Sequence, residues 1–99
     1  MSGRTRMSEM IARRFLISGL VQGVGFRYFA QRAAATHRIT GFVRNLGDGR
    51  VEALVQGTEK NVSAMREDLS TGPRYGKVEH IEELVVEPDR SYSNFRIER

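Results

Sequence analysis

Gly19-Leu20-Val21-Gln22-Gly23-Val24-Gly25-Phe26-Arg27 is the stretch of this sequence that decides its fold. It holds three glycines and one arginine between two apolar segments. The segment before it, Phe15 to Ser18, is typical of a strand, and Phe26 to His37 carries apolar residues at helical spacing. The glycines are therefore predicted to form a strand-to-helix turn, the context in which a glycine-rich motif becomes informative.

This turn has the features of a phosphate-binding cradle. Glycines allow positive φ angles and a close approach of the backbone to a ligand, so that successive N–H groups point at one anion. The following helix adds unpaired N–H groups and the positive end of its dipole. Arg27 carries a planar guanidinium that can hold two phosphate oxygens, which a lysine cannot do. The cradle amides are those of Gln22, Gly23, Val24, Gly25 and Phe26.

A simpler interpretation of the same stretch is a tight turn that only allows the helix and the strand to pack closely. Arg27 would then be a solvated surface residue. A second functional side chain from another part of the sequence, predicted to lie beside this turn, would favour the phosphate cradle over the simple turn.

The remaining chain alternates strands and helices in the order β-α-β-β-α-β, followed by a short strand. This order is the ferredoxin-like, split βαβ arrangement of the α+β class, with two helices covering one face of an antiparallel or mixed sheet. The predicted strands are Arg13 to Ser18, Ile39 to Leu46, Arg50 to Gln56, Lys77 to Val86 and Tyr92 to Ile97, and the predicted helices are Phe26 to Thr36 and Glu59 to Leu69.

Periodicity also predicts which faces are buried. In the third strand, Val51, Ala53 and Val55 alternate with Glu52, Leu54 and Gln56, which predicts one better covered face. On the first helix the predicted buried face is Phe26, Phe29 or Ala30, Ala33 and His37, while Arg27, Gln31 and Ala34 share a different side.

Length and composition define one small domain. The 99 residues, 39% of them hydrophobic, can form a single core. Residues 1–11 lack apolar periodicity and are predicted to be a disordered tail, which leaves residues 12–99 as the domain. The absence of cysteine excludes disulfides and thiol catalysis. No apolar run approaches the ~20 residues of a membrane helix, so we expect a cytoplasmic location and no membrane partner. We also expect a monomer.

Topology predicts that Arg27 and Asn45 converge. A strand-helix-strand crossover makes the first two strands parallel, so their carboxyl ends lie at the same sheet edge. The cradle follows the first strand, and Asn45 ends the second with the same parity as Ile39 and Val43. Ligands of α/β arrangements bind at such carboxyl ends.

A second stretch, Gly41-Phe42-Val43-Arg44-Asn45-Leu46, completes a resemblance to the acylphosphatase family, small hydrolases that cleave the carboxyl–phosphate bond of acyl phosphates. The resemblance runs from about Phe15 to Ile97 and includes Asp48-Gly49, Val55-Gln56-Gly57, Gly72-Pro73 and Tyr92-Ser93-Asn94-Phe95. It implies a small-molecule acyl phosphate substrate and no cofactor. It also implies that Arg27 binds the phosphate and that Asn45 orients the attacking water.

The chemistry of an acyl phosphate agrees with this set of residues. Its leaving group departs as a stable carboxylate, so positioning and charge stabilisation suffice without a strong general acid. The Asn45 carboxamide offers one acceptor and two donors for a water. His37 and His80 have no suitably spaced carboxylate partners, so we expect no metal site. Asp48 is predicted to be a turn residue and Arg44 a solvated one.

Two other functions remain to be separated. A nucleic-acid-binding module can have the same strand order, and the net charge of +4 suits an anionic partner. Such modules expose aromatics on the two central strands, whereas here the third strand has none and the first has only Phe15, so we do not expect nucleic acid as a partner. The second alternative is an acylphosphatase-like domain that has lost its activity or that serves a larger carbamoyl-transfer enzyme. The chain length and the presence of Arg27 and Asn45 favour a free-standing enzyme.

One position departs from the family pattern. His37 and Arg38 stand where the family usually has an aliphatic residue and a glycine that ends the helix. Arg38 must therefore adopt a positive φ, at a cost of about 1 kcal/mol, or the helix must end differently.

Overall fold

The computed structural model describes residues 9–99 of the chain. Within them the elements are β1 (Ile11–Leu20), α1 (Phe26–Thr36), β2 (Thr40–Asn45), β3 (Val51–Gly57), α2 (Glu59–Thr71), β4 (Lys77–Val86) and β5 (Phe95–Glu98). The predicted tail lies mostly in residues 1–8, outside the described residues, and β1 already begins at Ile11. The predicted order of elements is confirmed.

The strands form one sheet in the order β4-β1-β3-β2-β5. Both β1 and β2 are antiparallel to β3 and hence parallel to each other, and β5 is parallel to β2. Ile17 of β1 and Asn45 of β2 lie opposite the same residue, Val51. The carboxyl ends of β1 and β2 therefore lie at one sheet edge, and the predicted ferredoxin-like α+β fold is confirmed.

Both helices pack on the same face of the sheet and enclose the core. Their fully buried side chains meet those of the three central strands, as the spacing predicts. The largest completely buried members of this core are Phe15, Ile17, Val21, Phe26, Val43, Val51, Val55, Val62, Met65 and Leu69.

The buried face of α1 is wider than predicted. Ala34, predicted to share a side with Arg27, is completely buried, and Ala30 rather than Phe29 occupies the core. The reason is that α1 packs against α2 and β5 as well as against β2, so a broader arc of the helix is covered. His37 is only half-buried, and its Nε2 lies 2.8 Å from Oδ2 of Asp68 in α2.

The helices cover the predicted face of β3, which carries Val51, Ala53 and Val55, but its other face is covered as well, because all six residues from Val51 to Gln56 are buried. On the face away from the helices, the Glu52 carboxylate lies between Arg14 and Arg44. The Gln56 amide donates to the backbone carbonyl of Asp89 and accepts from the Asp89 N–H. Neighbouring arginines and the segment before β5 thus cover this face.

The helices begin at the predicted residues, Phe26 and Glu59, whereas β1 begins two residues earlier and β5 three residues later than predicted. The Thr58 hydroxyl caps α2 by accepting from the Asn61 N–H at 3.2 Å. A register shift between Ser18 and Gly19 leaves one extra residue in β4, which is a β-bulge. Arg38 adopts φ 55, so the first of the two predicted ways to end α1 is the one that occurs.

Among residues 9–99, no helix is long and apolar enough to span a bilayer.

Candidate active site

The turn between β1 and α1 has the backbone conformation that a cradle requires. Gly23 has φ 76 and Gly25 has φ 79, both in the left-handed region that favours glycine. A Cβ at either position would meet nothing within 4 Å, so conformation rather than crowding requires these glycines. The space beside the turn is therefore open to a ligand.

The backbone amides of this turn are available for an anion. Gly25 is the N-cap of α1 and has no side chain to cap it, and the first turn of the helix contains no acidic residue. The Phe29 N–H donates to the Gly25 carbonyl at 3.0 Å. In the part of the chain that the structure describes, the amides of residues 22–28 have no backbone or side-chain acceptor. This helix end thus combines unpaired donors with the positive end of the dipole.

A cavity of about 120 Å³ lies beside the turn, and we call it the site cavity. Its walls bring together the two residues that the sequence predicts to converge, Arg27 from α1 and Asn45 from the end of β2. The complete lining is Val21, Gly23, Gly25, Phe26, Arg27, Tyr28 and Asn45.

Two predicted cradle residues, Gln22 and Val24, are not in the cavity wall. The Val24 side chain packs against the core, and the Gln22 side chain bonds to the β2–β3 turn, so only their backbone can face a ligand. Conversely, Val21 and Tyr28 line the cavity although neither was predicted to be a site residue. Tyr28 follows Arg27 in the first helical turn, and that adjacency was the signal available for it.

The charge in the site cavity is positive. Arg27 is half-buried and forms no salt bridge with any residue from 9 to 99, and the cavity wall contains no carboxylate. The Asn45 side chain is half-buried and makes no hydrogen bond within the same residues. Within them, too, there is no group of three or more His, Cys, Asp or Glu side chains that could hold a metal ion.

A second cavity of about 220 Å³ adjoins the first and is lined by Arg27, Tyr28, Ile97 and Arg99. Arg27 and Tyr28 belong to the walls of both cavities. A ligand bound through Arg27 can therefore extend from the site cavity toward the end of β5.

The structure places the other candidates away from the site cavity. Asp48 lies in the hairpin turn, where its carboxylate accepts from the Arg50 N–H at 3.1 Å and from Arg50 Nε at 2.9 Å. The backbone hydrogen bond from Arg50 is the main cause that lowers the Asp48 pKa. Arg44 lies on the sheet face away from the helices, where its Nε is 2.6 Å from Oε1 of Glu52. It therefore forms an ion pair and is not merely the solvated residue that the sequence predicts.

Aromatic side chains do not form a base-stacking platform on the central strands β1 and β3. The single aromatic residue of these two strands, Phe15, is completely buried under the helices. Phe42 of β2 lies on the sheet face away from the helices, where its ring packs against that of Tyr92 with a centroid distance of 5.8 Å. This arrangement differs from that of RNA-recognition domains.

Comparison with known proteins identifies relatives of this chain. A family model described as acylphosphatase matches residues 13–97. A curated acylphosphatase from Solibacter usitatus is 45% identical over 94 residues, which make up 95% of this chain and 97% of that protein. The crystal structure of an acylphosphatase from Bacillus subtilis is similar with a TM-score of 0.86 and 35% identity, and the match covers 90% of this chain and 99% of that one.

A longer protein contains a similar segment. The crystal structure of full-length HypF in the phosphate- and nucleotide-bound form matches 93% of this chain and 12% of its own length, with a TM-score of 0.81 and 29% identity. The fold thus also occurs as a small part of a larger chain.

Proposed function

This chain belongs to the acylphosphatase family, whose reaction is the hydrolysis of acyl phosphates, and we propose that this reaction takes place in the site cavity. One observation carries the proposal: Arg27 and Asn45 come from separate elements and line a single cavity beside a glycine turn with unpaired amides. A cytoplasmic location and a monomeric state stay predictions from the sequence.

In the proposed mechanism, the phosphoryl group of the substrate binds at the amides of residues 22–26. The Arg27 guanidinium holds two of its oxygens, and the dipole of α1 adds to the stabilisation of negative charge. These donors are fixed before the substrate arrives, so they stabilise charge in the transition state without reorganisation.

Asn45 orients the attacking water in line with the bond that breaks. The water oxygen forms a bond to phosphorus while the bond between phosphorus and the acyl oxygen breaks. The electron pair of the broken bond leaves with the carboxylate, and the protons of the water remain with inorganic phosphate. Because the substrate's carboxylate is a stable leaving group, no acid from the protein is required to protonate it. This agrees with the cavity wall, which contains no Asp or Glu side chain.

The experiment is a phosphate-release assay with purified protein and benzoyl or acetyl phosphate, with and without EDTA. We expect hydrolysis to continue in EDTA and to be lost in Arg27→Ala. The matched control is Arg32→Ala, which removes an exposed arginine of the same helix and should retain full activity. Release of phosphate at the same rate by wild type and Arg27→Ala would refute the assignment of the site.

A further inference from the structure

The side chain of Gln22 leaves the cradle and reaches the turn between β2 and β3. Its Nε2 donates to the carbonyl of Leu46 at 2.8 Å and to the carbonyl of Arg50 at 2.9 Å. Both partners are carbonyl oxygens, so only the NH₂ group of the amide, with its two donors, can serve both. Gln22 is half-buried and does not line the site cavity.

The two acceptors are the residues that close the hairpin. The Leu46 N–H donates to the Arg50 carbonyl at 2.8 Å, and the Gly49 N–H donates to the Leu46 carbonyl at 3.3 Å. Leu46 directly follows Asn45 in the chain. One side-chain amide therefore joins the loop that carries the cradle to the backbone next to Asn45.

We infer that the Gln22 side chain is a positioning residue, which fixes the Asn45 carboxamide relative to the cradle through the Leu46 and Arg50 carbonyls. The inference rests on the proposed function, in which Asn45 must hold a water in line with a phosphoryl group bound at the cradle. A displacement of about 1 Å can lower a reaction rate by about 100-fold, so a bond that sets this distance controls turnover. Binding of the phosphoryl group does not depend on these hydrogen bonds. The cradle amides and Arg27 all belong to the β1–α1 segment, so their positions relative to one another do not require the contact with the hairpin.

The test is the exchange Gln22→Met, which keeps the length of the side chain and removes both donors. We expect kcat for benzoyl phosphate to fall by about 10- to 100-fold. The KM and the inhibition constant of inorganic phosphate should change by less than about 3-fold, because the phosphoryl ligands are unchanged. A general loss of structure would alter all three quantities.

Gln56→Met is the matched control. Gln56 is also a glutamine whose amide bonds to backbone groups of a distant segment, here the N–H and carbonyl of Asp89. It pairs with Thr40 at the start of β2, the end remote from Asn45. This exchange should lower the midpoint of urea unfolding and leave kcat within about 2-fold of wild type.

A double-mutant cycle with Asn45→Ala decides whether Gln22 acts through Asn45. In the Asn45→Ala background, Gln22→Met should lower kcat by less than about 2-fold, because the group it positions is gone. A loss as large as in the wild-type background would overturn the inference.

The remaining outcomes are also decisive. Wild-type kcat in Gln22→Met would overturn the inference and leave the proposed function standing, whereas absence of hydrolysis by the wild-type protein would overturn both. Circular dichroism at the assay temperature checks the fold of each variant. If Gln22→Met is unfolded, Gln22→Asn, which keeps the amide but is too short to reach both carbonyls, is judged by the same ratios of kcat.

Discussion

Arg27 and Asn45 line the same cavity from two different elements, the first turn of α1 and the last residue of β2. Their meeting follows from the sheet, since Asn45 and the β1 residue Ile17 lie on either side of Val51. The crossover through α1 thus brings the start of the helix to the end of β2. The two side chains have different proposed tasks, so their substitutions should have different kinetic effects.

Arg27→Lys should lower kcat/KM for benzoyl phosphate by about 100-fold or more, although the charge is kept. A lysine ammonium is a point charge and cannot make the two parallel hydrogen bonds of a guanidinium to a phosphoryl group. Steady-state assays of phosphate release measure this loss. Arg32→Lys on the exposed side of α1 is the control and should behave as wild type. Full activity in Arg27→Lys would mean that charge alone suffices and that the bidentate contact is not made.

Asn45→Ala should lower kcat by about 100-fold while the inhibition constant of inorganic phosphate changes by less than about 3-fold. The carboxamide orients the water and leaves the cradle intact, so its removal affects the transition state more than the bound state. Assays of kcat together with product inhibition separate the two quantities. Asn61→Ala, in the first turn of α2, is the control. A parallel loss of phosphate binding and kcat would assign Asn45 to ligand binding instead.

Much of the site was predictable because its signals are local. The glycine turn, the start of α1 and the position of Arg27 all follow from one short stretch, and strand parity assigned Asn45 to the helix-covered face. The crossover rule then needed only the order of elements to bring the two residues together.

Other features depend on segments that are distant in sequence and could not be read from periodicity. Glu52 and Gln56 alternate with core residues as surface positions do, yet both are buried because Arg14, Arg44 and the backbone of Asp89 cover them. The contact of Gln22 with the hairpin was likewise not predictable, since nothing in the cradle motif indicates where that side chain points.

Arg38→Gly should stabilise the protein by about 1 kcal/mol. Arg38 has φ 55 at the end of α1, and glycine adopts this conformation without the steric cost that a Cβ causes. The free energy of unfolding in urea measures the gain. Arg32→Gly is an informative control, because the same exchange within the helix should destabilise by about 1 kcal/mol. Equal destabilisation by both exchanges would show that the conformation of Arg38 costs nothing.

Glu52 forms ion pairs with Arg14 and Arg44 on the sheet face away from the helices, and the loss of stability should depend on which partner is replaced. The Glu52 side chain is 3% exposed, whereas those of Arg14 and Arg44 are 44% and 40% exposed. Replacing both arginines with methionine leaves a buried carboxylate without a partner, which should cost about 3 kcal/mol or more. Glu52→Leu leaves two guanidinium groups that can reach water, and should cost only about 1 kcal/mol. Urea unfolding of the two variants measures the difference, and the reverse order would contradict this account.

The ion pair between Arg66 of α2 and Glu83 of β4 should make stability depend on pH. Arg66 donates from Nε at 2.8 Å and from Nη2 at 2.6 Å to the two carboxylate oxygens, and this hydrogen bonding lowers the pKa of Glu83 below its ordinary value. A lowered folded-state pKa stabilises the protein above the unfolded-state pKa, and the contribution is lost as the pH falls through the folded-state pKa. Arg66→Gln should therefore destabilise by up to about 1 kcal/mol at neutral pH, a modest value because both side chains are about one-third exposed. In urea unfolding at a series of pH values, the difference from wild type should shrink once Glu83 is protonated. A difference that stays constant into acid would mean that Arg66 contributes through packing and not through its charge.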